Sequence, residues 1–310
     1  MKLPADLPAG AASRADRGLA IRLRRRAAEV VALSEFFAVY GSLINFAGLN
    51  ALLALSLYVP LSAGQLSLGN AAFAGIGAYV SALLTMRLNV PFPMSVAAGG
   101  CLAAAVAMAI GAPVLRIKGI FLAMATLAFG EVVRICAVNL SITGGAEGLI
   151  GIPNKTTAVM IYGALAATAY FLTALRWSQT GWSFASIRED ETAAMVMGIN
   201  TTRYKNVAFI LGAFIAGIAG GLYAHLNFII TPAEFGFSAE VQLLIYNIVG
   251  GTRSVFGPIV GALILTAIPE ALRAAGVTAG PLRLGVNGLI LLLVILYLPN
   301  GLSSLFAKKR

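Results

Sequence analysis

The sequence predicts an all-α protein: a polytopic bundle of about eight or nine transmembrane segments, some of them broken or re-entrant. Three observations carry that prediction. The 310 residues are 59% hydrophobic and only 11% charged, with a mean hydropathy of +0.88, whereas soluble domains are roughly half apolar. Apolar runs close to the ~20 residues that cross a bilayer recur along the whole chain. The alternation over about ten residues that marks an outer-membrane strand is absent, and helices are the other way to satisfy a backbone that lipid cannot hydrate.

Residues 1–34 form a basic N-terminal arm, read as cytoplasmic or flexible, with Lys2, Arg14, Arg17, Arg22, Arg24, Arg25 and Arg26 and no short apolar region with a small-residue cleavage site behind them. The candidate membrane segments follow at 36–60, 66–86, 93–114, 119–139, 156–176, 206–227, 238–251, 256–273 and 283–299. Pro and Gly punctuate the short loops between them, which makes 35–302 one transmembrane helical domain, and 303–310 is a basic tail ending in Lys308, Lys309 and Arg310. The net charge of +10 is spread over termini and short loops rather than gathered on a soluble face, so nucleic acid is excluded as a partner and membrane lipid is expected. Cys101 and Cys136 sit far apart in apolar runs and read as small core residues, not as a disulfide or metal framework.

Lys and Arg in short loops set the orientation. Arg116, Lys118, the 176–205 loop, Arg253 and the tail fall on one side if every segment crosses, and that side is expected to be cytoplasmic. Counting back then puts the basic N-terminus outside. Re-entry of one segment, at "AGQLSLGNAAF" or at 238–251, resolves this conflict and is the favoured reading; the other is that the arm is an exception to a statistical rule.

The stretch "SIREDETAAMVMGINTTRYK", residues 186–205, is a charged island in this apolar chain. Residues 183–197 have the features of a short helix. Ser183 or Ser186 can cap it, Glu189, Asp190 and Glu191 suit the positive end of its dipole, and Gly198 can end it. Ile187, Ala194, Met195, Val196 and Met197 offer an apolar surface with adaptable Met side chains. Two readings stand at this point: docking onto a partner, or a solvated loop helix that touches only lipid headgroups.

Within the apolar runs, Gly64, Gly69, Gly75, Gly77, Gly212, Gly217, Gly220 and Gly221 let helices approach closely. Close packing is the favoured role of these glycines; the lesser reading is a translocation path, for which Gln65, Ser67 and Asn70, beside a break at 62–64, are the candidates. Glu131 and Arg134, spaced i, i+3, can pair on one helix face, either as a structural pair or as part of a gate. In "TGGAEGLIGIP", 143–153, Thr143 and Glu147 are candidates for meeting substrate or a binding protein. His225 is the sole histidine and has no nucleophile motif beside it, so no catalytic residues, cofactor or metal site are expected. No G-x-x-x-x-G-K-[ST] phosphate loop occurs, so the chain borrows its energy from elsewhere.

"EDETAAMVMG" resembles the Glu-x-Ala-Ala-x-x-x-Gly signature of ABC importer permeases, with Glu191, Ala193, Ala194 and Gly198 at the matching places. The wider stretch 181–225, together with "AGQLSLGNAAFAGIGAYVSALL", "LRIKGIFLAMATLAFGEVVRI", "TGGAEGLIGIP", "VGGTRSVFGPIVGALIL" and "LPNGL", looks like the branched-chain amino acid importer permeases of LivM type over roughly 40–302. The resemblance implies an ATPase-coupling helix at about 183–198, with Ile187, Glu191, Ala193, Ala194 and Gly198 as its residues. It also implies a second homologous permease in a heterodimer, two ABC ATPase subunits, a periplasmic or lipid-anchored substrate-binding protein, and a multi-pass place in a bacterial inner membrane. The chain itself is then no enzyme. Branched-chain or other hydrophobic amino acids are the implied substrates; urea, short amides or aromatic acids are same-family alternatives. An ion-coupled secondary transporter is the reading from another class, for which Glu131, Glu240 and Glu270 are the available carboxylates. Two features depart from the family: a basic arm stands where another apolar span is common, and Arg253 interrupts a usually more apolar turn.

Overall fold

The computed structural model describes residues 40–117, 119–274 and 288. The chain divides into two units, 1–44 and 45–310, and of the first only the opening of helix α1 is described. The expected arm 1–34, the segment 283–299 (apart from residue 288, which is helical) and the tail 303–310 lie outside the described residues.

The expected apolar runs fold as helices close to their predicted limits. They are α1 (Tyr40–Ser62), α2 (Asn70–Arg87), α3 (Phe92–Val114), α4 (Ile120–Asn139), α5 (Ala158–Arg176), α8 (Thr201–Ala224), α9 (Phe237–Gly250) and α10 (Phe256–Ala274). The island of 176–200 folds as two helices, α6 (Gln179–Glu189) and α7 (Glu191–Val196). A two-residue antiparallel ladder joins β1 (Leu149–Ile150) to β2 (Ile229–Ile230). Among the described residues, α1, α4, α5, α8 and the Phe92–Gly111 part of α3 are long and apolar enough to cross a membrane on their own. The fold is the helical membrane bundle expected.

Helix α8 is the centre of that bundle, and small residues put it there. Lipid is as apolar as the helices, so association rests on close packing rather than on the hydrophobic effect. A Cβ on Gly77 of α2 would strike the Gly217 backbone of α8, a Cβ on Gly217 would stand 2.8 Å from Gly100 Cα of α3, and a Cβ on Gly220 would strike the Ala74 backbone. At one end of α8 the buried His225 fastens this core: its Nδ1 is 2.9 Å from the Gly221 carbonyl, its Nε2 is 3.0 Å from Thr85 Oγ1, and Phe92 packs edge-on against its ring. The histidine is thus a structural tie between α2, α3 and α8. Cys101 and Cys136 are free thiols on exposed helix faces, which corrects the expectation that they lie in the core.

The two ends of the bundle differ in charge. Gly111 of α3 sits beside Asn206 of α8, and Arg188 of α6 reaches Thr252, so Arg116, Arg176, Arg188, Arg203, Lys205 and Arg253 share the end that carries α6 and α7. The opposite end holds the β1–β2 ladder, Arg87 and Lys155. Neither segment suspected of re-entry turns back. Helix α2 starts beside Ser56 of α1, deep in the bundle, and runs on to Arg87, which reaches the Ile142 carbonyl at the far end. Helix α9 starts at the level of Ala71, close to the start of α2, and runs to the turn beside Arg188. The depth it lacks is supplied by the 3-10 turn Pro232–Phe235, which packs Phe235 against Gly75 and Tyr79.

The glycine packing is testable by contrast. Gly220→Ala should destabilise the folded chain by about 1–3 kcal/mol, as overpacking does. Gly163→Ala, where nothing lies within 4 Å of the added carbon, should be neutral or slightly stabilising. Thermal unfolding in detergent measures both, and equal midpoints would contradict the packing account.

Candidate functional site

Helices α6 and α7 owe their separation to Asp190. Its backbone is extended (φ −154°), which ends α6, and its Oδ1 accepts from the Thr192 and Ala193 amides at 2.8 and 3.0 Å, which starts α7. The single helix expected over 183–197 is therefore two, and its caps differ from those expected. Ser178 caps α6, while the Ser183 and Ser186 hydroxyls donate back to carbonyls within it. The expected stop is where the sequence placed it. Gly198 is left-handed (φ +85°), its amide donates to the Met195 carbonyl, and the Ile199 amide donates to the Ala194 carbonyl, the pairing of a Schellman cap.

The apolar residues of this region split into two sets. Ile187 and Ala194 are buried, Ala194 to 4% exposure, and hold the pair of helices to the bundle, helped by Phe184 packed edge-on to Tyr204. Met195, Val196 and Met197 point outward, the last two at 82% and 81% exposure, with Ala193 exposed beside them. Glu191 pairs with Lys205 at 2.7 Å, tying the first turn of α7 to the first turn of α8. Of the predicted coupling residues, Ala193 is thus on the surface, Ile187 and Ala194 are beneath it, and Glu191 and Gly198 fix its shape.

This surface is joined to the predicted path residues through one close approach. A Cβ on Gly64 would stand 3.0 Å from Arg188 Cα, so α6 lies directly on the turn that leaves α1. Beyond that turn, residues 65–69 are not helical, and Gln65, Ser67 and Asn70 are all buried. Asn70 Nδ2 donates to Ser56 Oγ at 3.2 Å, whereas the Gln65 amide and Ser67 hydroxyl have no protein partner among the described residues. The open backbone of this break is satisfied from elsewhere. Thr126 Oγ1 accepts from the Leu68 amide at 2.8 Å, and Glu240 Oε2 accepts from the Ala71 amide at 2.6 Å. Glu240, which the sequence offered only as an available carboxylate for ion coupling, is a cap for α2, supplied from α9, where Gly69 has no side chain to offer. A lone carboxylate in an apolar segment was the available signal.

Glu131 and Arg134 pair as expected, with Arg134 Nε 2.7 Å from Glu131 Oε2 and both side chains 35% exposed. Arg134 also edges an apolar cavity of about 270 Å³ between α2, α4 and Phe235. Glu131 borders a small cavity with Leu68, Gly69 and Glu240, so the pair stands beside the end of the 65–69 break, and Arg134 packs against Gly236. Thr143 does not face outward: its hydroxyl donates to the Ala137 and Leu140 carbonyls and closes α4, which leaves Glu147 as the exposed polar residue of that loop.

Residues 39–295 match the profile of a family described as the permease component of branched-chain amino acid transport systems. The chain is 31% identical over 285 residues to the high-affinity branched-chain amino acid transport system permease protein LivM of Salmonella typhimurium, a match that covers 81% of this chain and 66% of LivM. The chain therefore spans just under two thirds of that relative's length. LivH of Escherichia coli, a permease protein of the same description, is 34% identical over 128 residues, 41% of each chain. The ribose import permease protein RbsC of Escherichia coli is 26% identical over 297 residues, 86% of this chain and 88% of RbsC. No solved structure matches.

The ion pair on α4 yields a prediction. Glu131→Gln or Arg134→Gln leaves one charge without its partner near the middle of the helix, at a cost of about 2.5–3.5 kcal/mol on insertion scales. Folded yield in membranes should fall for each single variant and largely recover when both are neutralised. Losses that simply add would contradict the pairing.

Proposed function

The chain belongs to the family of branched-chain amino acid transport system permease components, and from that membership and the geometry of α6 and α7 we propose that it is the membrane-spanning permease subunit of a binding-protein-dependent ABC importer in a bacterial inner membrane. The end that carries α6 and α7 is then cytoplasmic, in keeping with its concentration of Arg and Lys. The observation that carries the proposal is the exposed rim of Ala193, Met195, Val196 and Met197, held by two caps and an ion pair yet left uncovered by the other described residues. An ATPase subunit is its partner in this reading. A second, related permease, a second ATPase and an external binding protein complete the importer, and the names of LivM and LivH as permease proteins of one kind of system support the pairing of two related permeases.

In this mechanism, closure of the ATPases on ATP pulls on α7. The pull passes through α6 to Gly64 and through Glu191 and Lys205 to α8, and so to the break at 65–69, where access alternates. Gln65, Ser67 and Asn70 are the path residues of the proposal, with Glu131 and Arg134 as a gate on α4. Branched-chain or other hydrophobic amino acids are the proposed cargo, with the binding protein setting specificity; urea, short amides or aromatic acids fit the same machinery. The ion-coupled reading is weaker, because Glu131 is committed to Arg134 and Glu240 to the Ala71 amide.

Gly198→Val tests the coupling surface. Holding a β-branched residue at φ +85° costs roughly 1–3 kcal/mol, so the cap should shift and misplace the rim. Insertion should be kept while transport and permease-stimulated ATP hydrolysis both fall at least severalfold. Cysteines at Val196 and Met197 should cross-link to the ATPase, and a cysteine at the buried Ala194 should not. Full coupled transport in the valine variant, with no cross-link from either exposed position, would show this region to be a solvated loop.

A further inference from the structure

Three arginines from separate parts of the chain meet at one cavity on the α6–α7 end. Arg176 ends α5, Arg188 lies in the last turn of α6, and Arg253 stands in the turn between α9 and α10, and all three line a cavity of about 90 Å³ floored by Tyr58, Leu172 and Phe184. Arg188 is held in place by donating its Nη1 to the Thr252 carbonyl at 3.4 Å, which brings the Arg253 turn to α6. The Tyr58 phenol lies within electrostatic reach of Arg176 and Arg188. Among the described residues no carboxylate lines the cavity. Glu189, 3.5 Å from Arg188 Nη2, is itself largely exposed, so it offsets little of the charge.

The orientation rule explains why arginines stand at this end of the bundle, but not why three that are distant in sequence converge on one pocket. Like charges brought together without carboxylates repel, and a bound anion is what relieves that repulsion. Guanidinium groups suit phosphate oxygens, which they engage through paired N–H donors. The volume is that of roughly three water molecules at ~30 Å³ each, enough for one phosphate group and too small for a nucleotide. Its setting points to the source of that phosphate. Trp177 and Trp182 stand exposed beside Arg176 and Gly181, as aromatic residues do at headgroup depth, and most of α5 above them is an unpacked apolar surface.

We propose that Arg176, Arg188 and Arg253 form a binding site for the phosphate of an anionic phospholipid in the cytoplasmic leaflet. The lipid pins the α9–α10 turn to α6, beside the coupling surface. Arg253, brought to the cavity by the turn between α9 and α10, is the residue that completes the site.

The experiment uses the full chain, purified in detergent and exchanged into nanodiscs of phosphatidylcholine doped with phosphatidylglycerol. Retained lipid is read by native mass spectrometry, and thermal midpoints are recorded with phosphatidylglycerol, phosphatidylcholine or inorganic phosphate added singly. Phosphatidylglycerol alone should be retained and raise the midpoint. Arg253→Gln should cut retention about fivefold, the equivalent of about 1 kcal/mol per headgroup cation. Arg253→Lys should lose less, and Arg203→Gln, an exposed arginine outside the cavity, should match the parent chain. Undiminished retention in the glutamine variant overturns the proposal. A midpoint rise with inorganic phosphate alone that needs Arg253 assigns the site to a free anion instead, and protection of Arg253 only by added ATPase assigns it to a protein contact; either result overturns the lipid reading.

Discussion

The hydrogen bond from the Ala71 amide to Glu240 is the interaction on which the rest of the arrangement depends. A chain that leaves its helix inside an apolar bundle exposes amides that no lipid can satisfy, each at a cost of several kcal/mol. Between α1 and α2 the chain does this from 63 to 69, and it is tolerated because Thr126 from α4 and Glu240 from α9 reach in to accept. A carboxylate is the acceptor suited to the start of α2, where several amides and the positive end of the helix dipole converge. Glu240 also binds two distant elements to each other, so the break is held by the same contact that positions α9.

Around that break the bundle is close to rigid. Gly77, Gly217 and Gly220 bring α2, α3 and α8 to backbone contact, and such interfaces have few intermediate positions. The segment with freedom to rearrange is the one that lacks helical hydrogen bonds. On the charged end α6 lies against it at Gly64, and Phe184 and Ile187 of α6 pack into the bundle beside α8, so a displacement of α6 is felt by the break and by α8 together. In the proposed importer this is how a push on a short surface helix becomes a change in access.

Much of this was legible in the sequence, and what was missed has a common physical cause. Eight segment positions, the stop at Gly198, the Glu131–Arg134 pair and the small-residue packing follow from apolar run length, left-handed preference and i, i+3 spacing, all of which are local. The direction in which an apolar residue points is not local, because in a membrane the outer face is as apolar as the core. So Cys101 and Cys136 read as buried and are exposed, while Ile187 and Ala194 read as a docking surface and are buried. Asp190 read as a helical residue because acidic side chains favour both the first turn and the cap itself, and only its extended backbone decides between them. The cap that Glu240 supplies to α2 spans 169 residues, beyond any pattern in the sequence.

The central claim is that access through this chain is driven by an ATPase seated on α6 and α7. Its most direct test is uptake of radiolabelled leucine into vesicles that hold the chain with its partner permease, with binding protein outside and the ATPases and ATP inside. The account predicts uptake only when ATPases and hydrolysable ATP are both present, and none driven by a proton or sodium gradient alone. Gradient-driven uptake without the ATPases would contradict it.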